Sequence, residues 1–276
     1  MARARSWEVS DAFWHRVEPL IPARAVRQEG RLYQRKPGAG RKPMDPRTVF
    51  EAIVFVLRTG CQWKSLPKER FGSASSVHRY FRTWLKAGFF LALWQAGLAE
   101  YDEMEGIAWR WQSVDGSLLK APLARESVGR NPTDRGKKNG SKRHLLVDAR
   151  GVPLSICVTA ANRNDVTQLE LLLDTLVCRP RRRRRMYLLA DRGYSGRPVL
   201  NAVTERGYHP RIRQQGKARR GRPPKPRRWV VEAAHSWFNR FRKLLVRFEK
   251  LHGSYLALVH LAAAIIAFRK AAPIYG

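Results

Sequence analysis

The chain has 276 residues, enough for one large domain or two ordinary ones, and its 44% hydrophobic and 10% aromatic content predicts a globular protein with a substantial core. Its formal net charge is +32, from 54 Lys and Arg against 22 Asp and Glu. Because such an excess repels itself, it indicates a polyanionic partner, and nucleic acid is the first candidate. The large core and nine tryptophans argue against a small, extended ribosomal protein.

The cysteines and the apolar segments indicate a cytoplasmic protein. Cys61, Cys157 and Cys178 are widely spaced, which argues against a disulfide framework and a zinc cluster. No apolar segment follows the basic residues at the start, so no signal peptide is expected. The most apolar segment, Leu256–Phe268, is short and contains a histidine, which predicts a core helix and no membrane span.

The first part of the chain has helical periodicity. Helices are expected over Ser10–Ile21 with Ser10 as N-cap, from about Pro46 to Gly60, from Ser75 or Ser76, and onward to about Glu100. Residues 24–43 are basic and rich in Gly and Pro, which predicts a flexible arm. An acidic cluster that ends at Gly106 marks a domain boundary, giving a helical DNA-binding domain over residues 1–106.

The helix that starts near Ser75 is amphipathic, and its outer face is basic. Arg79, Arg82 and Lys86 lie on that face, opposite an apolar stripe. A helix, a turn and then such a helix resemble a helix-turn-helix, in which these three residues would contact DNA. An ordinary solvated helix face is the alternative.

The second part, residues 107–276, predicts a mixed sheet with helices on its faces. Strands are expected over Ile107–Val114, Lys142–Val147, Val152–Thr159, from Met186 and over Tyr208–Ile212, the second and third joined as a hairpin. Helices are expected over Asp165–Val177, Pro198–Arg206 and Arg228–Phe248. Among the other acids, Asp134, Asp148 and Asp165 are interpreted as loop, hairpin and helix-cap residues.

Two aspartates share one sequence context. Asp115 and Asp191 each follow an apolar strand and precede glycine by one or two positions, so we expect both at strand ends. If the strands are neighbours, the like charges repel, and a divalent cation between them would keep both ionised. Oxygen ligation favours Mg²⁺, for which Mn²⁺ can substitute. The alternative is that Asp191 only caps the following turn.

A third acid lies on the helix predicted from Arg228. At about 100° per residue, Glu232 falls on a polar row with Arg228 and Lys243, opposite a buried stripe. Surface pairing of Arg228 with Glu232 is the alternative. Two strand-end aspartates and one helical glutamate form a ligand set for phosphoryl transfer with two metal ions.

A basic segment, residues 211–228, precedes Glu232 and contains no acid. Within it, Arg220 and Arg222 belong to a Gly/Pro-flanked motif that resembles the core of an AT-hook, an extended segment that enters A·T minor grooves. The alternative is a disordered basic loop that contacts phosphates only.

Four ordered segments carry a resemblance to a known family. They are Val114-Asp-Gly-Ser117, Lys142–Asp148, Ala190-Asp-Arg-Gly-Tyr194, and Arg228-Trp-Val-Val-Glu232 followed by Trp237-Phe-Asn-Arg-Phe-Arg242. Together they resemble bacterial insertion-sequence transposases of the DDE type, in the group named after insertion sequence five. The resemblance implies an RNase H-like catalytic domain, like that of retroviral integrases, behind an N-terminal helical domain. It also implies Mg²⁺-dependent cutting at terminal inverted repeats of double-stranded DNA, followed by strand transfer.

One family motif is only partly present. Related transposases carry Tyr-x2-Arg-x3-Glu-x6-Lys, in which Arg228 and Glu232 occupy the second and third positions here. Lys225 stands for the tyrosine and Asn239 for the final lysine, so Arg240 or Lys243 is a candidate for the phosphate contact. The need to hold two DNA ends implies a homodimer or a larger synaptic complex. A non-catalytic DNA-binding protein and an RNase H-like nuclease without joining activity are the competing hypotheses.

Overall fold

The computed structural model describes residues 7–23, 42–180, 185–212 and 229–272. The predicted basic arm therefore lies outside the described residues except for its last two positions, and most of the predicted basic loop lies outside them too. Before the sheet, the described chain forms helices α1 (Asp11–Val17), α2 (Pro46–Thr59), α3 (Lys68–Phe71), α4 (Ala74–Lys86) and α5 (Phe89–Met104).

Local sequence signals explain the ends of the first helices. Ser10 caps α1 by accepting a hydrogen bond from the Phe13 amide at 3.2 Å, and Asp45 caps α2 by accepting one from the Thr48 amide at 2.8 Å. Gly60 ends α2 in the left-handed conformation, with φ of 75°, which glycine adopts without steric cost. These starts and stops agree with the sequence predictions.

The remaining elements form a sheet with helices on both faces. In order they are β1 (Trp111–Lys120), β2 (Gly129–Arg130), β3 (Asn139–Val147), β4 (Pro153–Ala160), α6 (Val166–Asp174), β5 (Met186–Leu189), α7 (Arg197–Glu205), β6 (Tyr208–Pro210), α8 (Trp229–Asn239), α9 (Arg242–Leu245) and α10 (His252–Ala271). The main strands are ordered β4-β3-β1-β5-β6, with the short β2 also paired to β3. β3 runs antiparallel to β1 and β4, whereas β5 is parallel to β1 and β6. The predicted mixed α/β, RNase H-like architecture is confirmed.

The strand alternation gives the sheet two different faces. Leu119 and Leu145 point to a face covered by α8, α10 and the N-terminal helices, and these elements share one large hydrophobic cluster. Val114 and Leu188 point to the other face, which α6 and α7 cover. We call these the α8 face and the α6 face. Since one cluster joins the N-terminal helices to the sheet, the predicted boundary at Gly106 separates sequence segments that share a core.

α10 fills the centre of that shared core. Its apolar residues are almost all buried, and Gly97 of α5 lets the Phe268 ring approach to 3.0 Å from where a Cβ would stand. Among the described residues it is also the one helix long and apolar enough to cross a membrane, with a mean hydropathy of 1.4. Because 78% of that window is buried inside the protein, α10 serves here as a core helix, as the sequence predicted.

Two predicted boundaries are wrong. β1 continues for five residues past Asp115 because the full length of β3 is available to pair with it, so Asp115 lies in mid-strand and not at a strand end. The helix predicted over Arg228–Phe248 stops at Asn239 and resumes as α9, with Phe241 in an extended conformation between them. The break changes the faces of later residues, so Phe248, at the end of the predicted helix, is exposed.

Candidate active site

Asp115 lies on β1, and Asp191 follows the neighbouring parallel strand β5 by two residues. The parallel register pairs Trp111 with Tyr187 and Ser113 with Leu189, and continuing it by two residues pairs Asp115 with Asp191. The rings of Trp111 and Tyr187 are stacked with centroids 4.4 Å apart, which shows that this set of residues shares a face. Asp191 keeps an extended backbone, with φ −70° and ψ 167°, so the alternation reaches it. Both aspartates therefore point to the α8 face.

Local backbone contacts orient the two carboxylates. Asp115 Oδ1 accepts a hydrogen bond from the Gly116 amide at 2.9 Å, and Asp191 Oδ1 accepts one from the Arg192 amide. Asp191 is therefore the N-cap of the following 3₁₀ turn, Arg192–Tyr194. Asp191 can therefore be both a turn cap and a candidate metal ligand, because the capping bond uses only Oδ1 of the carboxylate.

Glu232 lies in the first turn of α8, the helix that packs on the same face of the sheet. Val231 and Ala234 bury the inner side of this helix, while Glu232 is exposed. One turn later, His235 contacts the sheet beside Asp115. Burial and the charge of Arg143 lower the pKa of His235 to about 3, and the polar backbone of Asp115 opposes that shift. Glu232 is thus one helical turn from a residue that touches the Asp115 backbone.

A buried arginine fixes α8 on the sheet. Arg143 of β3 is fully buried, and its Nη2 lies 3.3 Å from His235 Nδ1 and 3.4 Å from Asn239 Oδ1. Its guanidinium stacks on the ring of Phe238 at 4.6 Å. Because these contacts hold α8 over β1 and β3, they also fix the position of Glu232 relative to the sheet.

The electrostatics of Tyr194 support the proximity of the two aspartates. Burial raises the pKa of its hydroxyl, and the charges of Asp165, Asp115 and Asp191 raise it further. Within the described ranges, no three side chains among His, Cys, Asp and Glu are close enough to hold one metal ion. The register of β1 and β5 therefore puts Asp115 and Asp191 at one level of the sheet, and Glu232 lies on the adjoining helix without completing a metal-ligand set.

A cluster that sequence reasoning missed lies behind this site, on the α6 face. Lys142 Nζ is 3.1 Å from Asp165 Oδ1, and His144 Nδ1 is 3.3 Å from the same oxygen. His144 Nε2 is also 2.8 Å from Thr159 Oγ1. Burial lowers the pKa of His144 to about 4, so its ring is neutral at neutral pH.

Asp165 therefore does not serve as the helix cap expected from the sequence. Its side chain makes no capping bond, and Asn164 Oδ1 accepts from the Val166 amide instead. A Cβ at Gly116 would stand 2.5 Å from Asp165 Oδ1, which explains why glycine follows Asp115. That glycine was the one sequence signal that could have shown a close approach at this point.

The predicted DNA-contacting residues of α4 are on the surface. Arg79 and Lys86 are exposed, and Arg82 is half-buried. The link from α2 to α4, residues 60–73, contains the short α3 and is longer than the turn of three to four residues in a standard helix-turn-helix. The helix-turn-helix assignment stays a prediction.

Arg240 and Lys243 have different environments. Arg240 is exposed just after α8. Lys243 is buried, donates a hydrogen bond to the Cys61 carbonyl at 3.2 Å, and lies 3.4 Å from Glu249. This placement does not fit the DNA contact expected for Lys243, because its charge is already satisfied between α9 and the chain after α2. Arg220, Arg222 and Arg228 lie outside the described residues.

Comparison with known families places the chain. A family model described as "Transposase DDE domain" matches residues 112–267, which contain all three acids. The chain belongs to the DDE transposase family. A second model, "Putative transposase of IS4/5 family", matches residues 9–94, so the two matches flank the predicted boundary at Gly106. The resemblance drawn from the four motifs is confirmed.

Two relatives come from one insertion element of Burkholderia cepacia. The chain is 41% identical to "Putative transposase for insertion sequence element IS402" over 143 residues, which is 49% of this chain and 66%, just under two thirds, of that relative. It is 33% identical to "Insertion element IS402 uncharacterized 16.2 kDa protein" over 125 residues, 45% of this chain and 80% of that relative.

Among solved structures, the chain is similar to the pre-cleavage Mos1 transpososome, with 10% identity, 87% of this chain and 82% of that chain covered, and a TM-score of 0.32. The Mos1 strand transfer complex gives 11% identity, 86% and 82% coverage, and a TM-score of 0.33. Scores this low carry no argument, and the assignment rests on the family match and on the strand order.

Proposed function

We propose that this DDE transposase binds the terminal inverted repeats of an insertion sequence, cuts DNA at its ends and joins them to a target by two-metal phosphoryl transfer. The observation that carries the proposal is the juxtaposition of Asp115 and Asp191 on the α8 face, with Glu232 on the helix above them. In this proposal the three acids are the catalytic residues, and the protein acts in the bacterial cytoplasm at the nucleoid.

The donor set fits a hard divalent cation. All three side chains offer carboxylate oxygens, which Mg²⁺ and Mn²⁺ prefer, and the two aspartates are neighbours whose charges repel unless a cation lies between them. Asp115, Asp191 and Glu232 would hold two Mg²⁺ ions. When bound, the ions would supply activation of a water or 3′-hydroxyl for in-line attack and charge stabilisation of the leaving oxygen.

The protein's own residues have distinct tasks. The Arg143–His235 contact would hold α8 against the sheet so that Glu232 can complete the ligand set. Arg240 is exposed in the connection between α8 and α9. It would hold a DNA phosphate, in place of the lysine that related transposases carry near this position. Arg228, four residues before Glu232, and the AT-hook-like pair Arg220 and Arg222 would contact the DNA backbone and minor groove next to the cut.

The N-terminal helices would hold the DNA end. Arg79, Arg82 and Lys86 form one basic row on α4. Because no acid interrupts this row, it is suited to phosphates along one strand. Two copies of the chain would be needed to hold both ends, so we propose a homodimer or larger synaptic assembly.

The test is DNA cleavage and joining by purified protein, with duplexes that carry the element's ends, in Mg²⁺ and in its absence. Asp115→Asn, Asp191→Asn and Glu232→Gln should each abolish both reactions and leave DNA binding intact. Asp134→Asn, at a half-buried loop acid, is the matched control and should cut like the wild type. Cutting without joining by the wild type would favour a nuclease, and binding without cutting a non-catalytic DNA-binding protein.

A further inference from the structure

A second basic site lies away from the carboxylates, where α2, α10 and the end of α8 meet. It is an open cavity of about 260 Å³. Its charged lining consists of Arg58, Arg240, Arg269 and Lys270, with Trp237 and Phe241 among its walls. Within the described residues, this lining includes no acidic side chain.

Aromatic rings hold two of the four cations in place. The Arg58 guanidinium lies 4.1 Å from the centre of the Phe241 ring, and Lys270 Nζ lies 4.4 Å from the centre of the Trp237 ring. Such stacking orients a cation without neutralising it. Arg58 Nε is buried and has no hydrogen-bond partner in the part of the chain that the structure describes, an arrangement that costs free energy until an acceptor arrives.

The cations also act on one another. Burial, then the charges of Arg269 and Arg240, lower the pKa of Arg58 to about 9. Burial and the charge of Arg240 lower the pKa of Arg269. Because these like charges lie together and the described lining contains no acid, they repel one another. A bound anion would reduce this repulsion.

We propose that this cavity is a phosphate site, and that in the DNA complex it takes one phosphodiester of the duplex backbone. The proposal rests on the proposed function, because DNA is its ligand. Guanidinium groups donate paired hydrogen bonds that match phosphate oxygens. Arg240, Arg269 and Lys270 are exposed at the mouth, so a continuous strand can pass across it without entering a closed pocket.

This site is distinct from the one that holds the acids. Arg240 follows Glu232 by eight residues, about 12 Å along a helix axis at 1.5 Å per residue. Trp237 projects roughly 140° away from Glu232 around α8, by the helical step of about 100° per residue. A phosphate in this cavity would therefore fix the duplex on the flank of α8 while another part of the DNA lies at the carboxylates.

The first test is the salt dependence of binding to a random-sequence DNA duplex by the full-length protein. Each lost phosphate contact lowers the slope of log Kobs against log salt by about 0.9. Arg269→Gln should lower the slope by that amount. Arg197→Gln, which removes the same charge from an exposed position on α7 at the other face of the sheet, should leave it unchanged. Equal slopes for the wild type and both variants, or the same loss in both variants, would overturn the proposal.

A second arm separates DNA phosphate from free phosphate. Thermal unfolding is measured in inorganic phosphate and in chloride at equal ionic strength. If phosphate raises Tm for the wild type but not for Arg269→Gln, and the DNA slope also changes, the proposal stands. A Tm effect without a slope change would assign the cavity to free phosphate and overturn the DNA contact. If the wild type binds no DNA, both the phosphate site and the proposed function are wrong. If Arg269→Gln keeps the wild-type salt slope while the wild type cuts DNA, only the phosphate site is wrong.

Discussion

Asp115 lies in the middle of β1, and the register of β1 with the parallel strand β5, continued two residues past Leu189, brings Asp191 opposite it. The position of Asp115 depends on contacts on both faces of the sheet. On the α8 face the carboxylates are open to a ligand, while on the α6 face the backbone at Gly116 is packed against Asp165. The geometry of Asp115 is therefore supported by residues on the opposite face of the sheet.

Gly116→Ala should damage this support. The new Cβ would stand 2.5 Å from Asp165 Oδ1 and 3.2 Å from His144 Nδ1, so the strand or the cluster must shift. We expect a loss of about 1–3 kcal/mol in the free energy of unfolding, typical of overpacking, together with reduced cleavage. Urea denaturation measures the first and the nicking assay the second.

Gly193→Ala is the matched control for that experiment. Gly193 lies in the Asp191 motif, has no positive φ, and its added Cβ would meet nothing within 4 Å. It should keep wild-type stability. Equal stability of the two alanine variants would show that the close packing behind Asp115 has no energetic consequence.

Lys243→Gln should act on stability and not on DNA affinity. The substitution removes the ammonium that lies between the Cys61 carbonyl and Glu249, so both half-buried acceptors lose a donor, and Glu249 keeps its bond from Trp63 Nε1. A loss of about 1–3 kcal/mol in the free energy of unfolding is expected. Arg242→Gln, at an exposed position on the same short helix, should be nearly neutral. If Lys243→Gln instead lowered the salt slope of DNA binding at unchanged stability, the sequence-based assignment of Lys243 would be right.

Arg79→Gln and Lys86→Gln should each weaken DNA binding without changing stability. Both side chains are exposed on α4, so each substitution removes a phosphate contact at little folding cost. We expect each to lower the salt slope by about 0.9, measured by fluorescence anisotropy. Unchanged slopes would assign this row to an ordinary solvated helix face.

Stability should fall as the pH drops below neutral. Burial, with a smaller contribution from the charge of His252, lowers the pKa of His260 to about 4, and its ring packs against Trp94. The unfolded chain protonates this histidine near pH 6.5 while the folded chain does not, so its contribution is complete above pH 6.5 and is lost as the pH falls towards 4.

The expected loss from His260 between pH 7.5 and pH 5 is on the order of 2 kcal/mol. Urea midpoints at pH 7.5 and pH 5, with His260→Gln as the non-titrating comparison, measure it. The variant should show a smaller pH dependence than the wild type, and identical dependence in both would exclude His260 as a source.

Much of the fold was predictable because its signals are local. Ser10, Asp45 and Gly60 mark helix ends through side-chain capping and glycine's conformational freedom, and the four motifs identified the family. The end of β1 was not predictable, since it is set by pairing with β3, a contact distant in sequence. The burial of Lys243 follows from the break at Phe241, where packing against α2 overrides the helical period.

The residues of the candidate site were predictable from sequence, but their arrangement in space was not. The residue types and order of Asp115, Asp191 and Glu232 indicate the chemistry, whereas their distances depend on how α8 lies on the sheet. Asp165 could not be assigned from sequence, because it stands at the start of α6 while its partners Lys142 and His144 come from β3, more than 20 residues earlier.

The most direct measurement is a crystal structure of the protein soaked in Mn²⁺, with anomalous diffraction to locate the ion. The account predicts a peak between Asp115 and Asp191, with carboxylate oxygens of both as ligands and Glu232 drawn towards it, and no such peak in Asp191→Asn. A wild-type map with Mn²⁺ bound only elsewhere, or with the two carboxylates turned apart at saturating Mn²⁺, would contradict it.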